Sequence, residues 1–123
     1  MSNLVAVLFN GIAQFEFDRE RSLTPQQSLY LTKMDSKMDE GIQMDSSFIT
    51  KPDINNRTQY VAANLANAII HNDEATCSAL CSYLAVRLPE LKQVKIDEKD
   101  GEISIELVFD EDYQKQVPVT FLH

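Results

Sequence analysis

The dipeptide Asn10-Gly11 lies between two apolar runs, Leu4-Val5-Ala6-Val7-Leu8-Phe9 and Ile12-Ala13-Gln14-Phe15-Glu16-Phe17. A type I′ turn needs positive φ at both central residues, and this pair tolerates it, so the chain is expected to begin with a β-hairpin. A two-residue loop makes Phe9 face Ile12 and Leu4 face Phe17. Side chains alternate with period two. One side of the ribbon then collects Leu4, Ala6, Leu8, Ala13, Phe15 and Phe17. The other carries Val5, Val7, Phe9 and Ile12 beside Gln14 and Glu16, and needs cover from residues 113–123, from a helix or from another subunit.

The C-terminal part repeats the pattern. Val94 and Ile96, then Ile103, Ile105, Leu107 and Phe109, alternate with polar residues around the turn Lys99-Asp100-Gly101. This spacing predicts a second hairpin with one core face and one charged face. A short last strand is expected around 117–121, held to an edge by Pro118.

Three helices are expected between the hairpins. Thr24 is the N-cap of the first, with Pro25 at N1 and Gln27 completing a capping box. Leu31, Met34, Met38 and Ile42 recur at helical spacing, Gly41 is the stop signal, and residues 43–53 read as a loop. Asp53 or Asn55 caps the second helix, whose apolar stripe is Val61, Leu65, Ala68 and Ile69. His71-Asn72-Asp73 forms a turn, and Asn72 or Asp73 caps the third helix. There Cys77, Leu80, Cys81, Leu84 and Leu88 fall on one face, and Pro89 ends it. The order β-β-α-α-α-β-β predicts a single α+β domain over residues 1–123. Its antiparallel sheet is built from the N- and C-terminal hairpins, with about three helices packed on one face.

Composition narrows the class. The chain has 123 residues, 44% of them hydrophobic, enough for one core and not for two. No apolar run approaches the ~20 residues of a membrane span, and Leu4–Phe9 lacks the basic leader of a signal peptide. Cys77 and Cys81 stand four apart on a helix, poor geometry for a disulfide, so free thiols and a cytoplasmic location are expected. Residues 93–112 hold eight acids (Asp97, Glu98, Asp100, Glu102, Glu106, Asp110, Glu111, Asp112) against Lys95 and Lys99. That is −6 out of the chain's −8. Such a surface repels phosphate backbones, and nucleic acid is not an expected partner.

Few residues suggest chemistry. Cys77 and Cys81 have no second CxxC-type pair, and His71, six residues before Cys77, and His123 are the only histidines, so no zinc set is complete; Asp97, Glu98 and Asp100 lack the rest of a calcium loop. No phosphate loop, nucleophile elbow or dinucleotide fingerprint is present. The reading that follows is a small acidic accessory, regulatory or chaperone-like protein-interaction module, with no catalytic residue, cofactor or metal assigned. Its partner would be a protein, a basic one on charge grounds. The candidate contact residues are Glu102, Glu106 and Asp110 on the second hairpin, and Met34 and Met38, whose flexible side chains suit adaptable surfaces as well as core gaps. The competing reading is a small-molecule or metal-binding domain, enzymes included, with a pocket between helices and sheet. A homodimer through an exposed strand edge is the third.

Overall fold

A computed structural model describes residues 4–44 and 47–113 of the chain. Strands β1 (Leu4–Phe9) and β2 (Ile12–Asp18) form the first hairpin, and β5 (Gln93–Lys99) and β6 (Glu102–Val108) the second. Both turns carry the backbone their sequences demand: φ is 50° at Asn10 and 82° at Gly11, and 54° at Asp100 and 82° at Gly101. The expected α+β architecture stands, and its strands order as β2-β1-β5-β6. The hairpins are antiparallel within themselves, but β1 runs parallel to β5, so the sheet is mixed. A parallel joint needs a crossover, and the helical layer supplies it. It also brings both turns to the same end of the sheet. There Asn10 donates its backbone N–H to the Ile96 carbonyl at 2.8 Å and accepts the Glu98 N–H on Oδ1 at 2.8 Å.

The first hairpin departs from the even register. Phe9 faces Ile12 and Leu8 faces Ala13, but Val7 then faces Phe15 and Leu4 faces Asp18. Gln14 is the extra residue of a β-bulge, and a one-residue insertion exchanges the two faces of everything beyond it. Phe15 and Phe17 therefore join Val5, Val7 and Phe9. That side, expected to need cover, is the one packed on the helices, whereas Ala6, Leu8 and Ala13 form a small outer cluster covered by Tyr113. Ile12 remains 63% exposed at the sheet corner.

Helices α1 (Pro25–Asp39), α2 (Ile54–Ile70) and α3 (Glu74–Arg87) begin at side-chain caps. Thr24 and Gln27 form the capping box of α1, Asp53 and Asn56 that of α2, and Asp73 caps α3 through the Thr76 N–H. Val61, Leu65, Cys77, Leu80, Cys81 and Leu84 are buried as their spacing requires, and they meet Val5, Val7, Val94 and Ile96 in the core. Within the segment expected to be loop, β3 (Ile42–Met44) pairs with β4 (Ser47–Ile49) in a small second sheet. Three-residue strands are too short to leave a periodic signal. Ile42, expected on the first helix, belongs to β3. The strand expected around 117–121 lies outside the described residues.

Candidate protein interface

The second hairpin sorts its side chains by register. Gln93 faces Val108, Lys95 faces Glu106, Asp97 faces Ser104 and Lys99 faces Glu102 on the outer side of the sheet. Val94, Ile96, Ile105 and Leu107 turn inward, and Val94 and Ile96 are fully buried. Glu102, Glu106 and Asp110 are exposed, where the charge pattern places them. Lys95 and Lys99 stand across from Glu106 and Glu102, but the ion pairs of the described residues form elsewhere: Arg57 with Asp35 and Asp39, Arg87 with Asp35, and Lys92 with Asp112. The two glutamates thus keep their carboxylates in water. Exposed carboxylates of this kind interact at long range and weakly, through a field that salt screens.

After β6 the chain folds back over the outer face. Lys92 donates to Asp112 at 2.6 Å, and this bond, with the nearby ammonium charge, lowers the Asp112 pKa. The Gln93 side chain donates to the Glu111 carbonyl at 2.9 Å, and Tyr113 is buried beside Ala6 and Leu8. The fold-back crosses β5 and β1 and leads away from the outer edge of β6. Among the described residues no strand pairs with that edge.

The edge has a defined hydrogen-bond pattern. A two-residue turn makes Lys99 and Glu102 the closely bonded pair, and alternation along the ladder then directs the N–H and C=O groups of Ile103, Ile105 and Leu107 away from β5. The side chains of these residues lie on the inner side, only partly covered: Ile103 is 44% exposed. Ile105 and Leu107 floor a cleft of about 340 Å³ against Gln59 and Ala62 of α2.

The methionines do not share this surface. Met38 is 4% exposed inside the core, and Met34 is partly buried against it. They fill space, and Met38 presents little surface to a partner. Both also line a cleft of about 310 Å³ between α1 and the α2–α3 pair, with Tyr30, Tyr60, Asn64 and Thr76. A second cleft, about 440 Å³, lies between the N-terminal half of α1 and α3 and is lined by Gln26, Gln27, Tyr30, Ser78 and Ser82. Both of these spaces lie between helices, whereas a cleft of about 530 Å³, lined by Glu16, Phe17, Arg21, Gln27, Ser78 and Ser82, lies between β2 of the sheet and helices α1 and α3.

One polar cluster escaped sequence reasoning. Asp35 on α1 accepts from the Tyr83 hydroxyl at 2.6 Å and from Arg87 Nε at 2.9 Å, both on α3. Arg57 on α2 donates to the Asp35 carbonyl at 3.2 Å, pairs with Asp39, and also bonds the Pro52 carbonyl. The Arg87 guanidinium lies 5.5 Å from the Tyr83 ring centroid. The echo Lys33-Met34-Asp35, Lys37-Met38-Asp39 was its trace: period four sends both methionines to the core and both aspartates to the arginines. With its carboxylate oxygens taken by Tyr83 and Arg87, Asp35 anchors α1. Arg19, after β2, similarly closes the C-terminal end of α3 by donating to the Ala85 and Leu88 carbonyls at 3.3 and 2.8 Å.

No group of three or more His, Cys, Asp or Glu among the described residues is placed to hold a metal ion. Cys77 and Cys81 are buried, and burial pushes both thiols up, Cys81 to about 12. No helix of the described residues is long and apolar enough to cross a membrane. Comparison with family models, curated proteins and solved structures finds no match to this chain.

Proposed function

We propose that the protein is an interaction module that docks a basic protein partner on its C-terminal hairpin. The observation that carries this reading is the exposure of Glu102 and Glu106 on β6, and of Asp110 in the bend just after it, with none of the three in an ion pair among the described residues. Fixed carboxylates steer a cationic partner and set its orientation more than they add affinity. A sheet face positions Glu102 and Glu106 better than a loop would.

The test is co-purification of the tagged chain, followed by a salt titration of whatever protein is retained. Binding is expected to weaken steeply with ionic strength. The triple variant E102K/E106K/D110K should retain the fold and lose most of the partner. Partner retention unchanged by salt and by the triple reversal would refute the reading.

A further inference from the structure

We infer that the outer edge of β6 accepts an extended segment of the basic partner as a fifth strand, with alternating basic and apolar side chains. This rests on the docking function proposed above and specifies its geometry.

Three features of one strand converge. The first is the open ladder: the outward N–H and C=O groups of Ile103, Ile105 and Leu107 have no strand beside them among the described residues. The second is the cleft beneath that edge, floored by Ile105 and Leu107 and walled by Gln59 and Ala62, which can take the apolar side chains of an added strand. The third is charge. Added residues on the opposite side of the sheet would lie beside Glu102, Ser104 and Glu106. Alternation is therefore imposed on the ligand, with Lys or Arg outward beside the glutamates and Val, Ile or Leu inward over the cleft.

The same charges argue against a second copy of this chain at the edge. An antiparallel β6–β6 pair centred on Ser104 sets Glu102 opposite Glu106 twice. Centring it on Ile105 makes the two Glu106 side chains diagonal neighbours. Like charges so placed destabilise the pairing, and each copy carries −8.

The test uses the full chain and the capped peptide acetyl-Lys-Val-Lys-Val-Lys-Val-Lys-amide, beside a peptide of the same composition with its lysines and valines in blocks. Calorimetry should show the alternating peptide binding at least tenfold tighter than the block peptide, and amide NMR should place the largest shifts at Ile103, Ile105 and Leu107. N-methylation of one alternate set of peptide residues should abolish binding while the other set tolerates it, the valine set for an antiparallel strand and the lysine set for a parallel one. Ile103→Pro, which removes an outward N–H without removing a donor to β5, should weaken binding at least tenfold, and Ile103→Ala, which keeps the N–H, should weaken it less. Equal, salt-sensitive binding of both peptides overturns strand addition and leaves acidic docking standing. Absence of binding by either peptide at low salt overturns both. A concentration-dependent dimer that the peptide dissociates overturns the inference by assigning the edge to a second copy.

Discussion

The Tyr83 hydroxyl of α3 donates to the Asp35 carboxylate of α1 across 2.6 Å, and the same carboxylate receives Arg87. Helix α1 buries only Leu31 and Met38, so this polar contact carries an unusual share of its attachment. Asp35→Ala would leave a buried hydroxyl and two guanidinium groups short of a partner. The expected loss is about 2 kcal/mol in urea unfolding. A double-mutant cycle with Arg87→Ala should show coupling of about 1 kcal/mol. A loss under about 0.5 kcal/mol, as is usual for surface sites, would mean that α1 is held by apolar contact alone.

Tyr83 also makes stability depend on alkaline pH. Burial, then the hydrogen bond to Asp35, pushes its phenol up to about 12, whereas the unfolded chain ionises it near its ordinary value of about 10. The contribution is full below pH ~10, because neither state has yet lost the proton, and it declines as pH rises towards ~12. Urea midpoints should therefore fall between pH 10 and 12, and the fall should be smaller in Tyr83→Phe. Equal slopes for the two proteins would contradict the assignment.

The thiols give a third prediction. Cys77 and Cys81 are buried and favour the unreactive protonated form, Cys81 with its pKa near 12. At pH 8 a disulfide-exchange reagent should label the native chain roughly a hundredfold more slowly than the urea-unfolded chain, because the thiolate is the nucleophile. Fast labelling of either cysteine under native conditions would expose a reactive thiol where the core packing shows none.

Local signals in the sequence are legible where one residue's chemistry dictates the backbone. Asn10-Gly11, Asp100-Gly101, Thr24 with Gln27, Asp53 and Asp73 each mark a turn or cap that the structure contains. Pairings that depend on distant partners were not legible. The bulge at Gln14 exchanges the faces of the first hairpin, yet either arrangement buries an apolar side, so alternation alone does not choose. The parallel β1–β5 joint leaves no local mark. Asp35 and its arginines are 22 and 52 residues apart in sequence, and only the period-four echo hinted at their shared face. At the candidate interface, the exposure of Glu102 and Glu106 was readable from alternation, whereas Asp110 lies in the bend after β6. The open ladder and the cleft beneath it required the strand order.

The most direct measurement is amide hydrogen exchange along β6 in the free chain, followed by NMR. If the outer edge of β6 is open, the amides of Ile103, Ile105 and Leu107 exchange rapidly. Those of Ser104 and Glu106, bonded to β5, are protected at least a hundredfold more strongly. Equal protection of all five amides in the free chain would show the edge already occupied, and the strand-accepting interface would not exist.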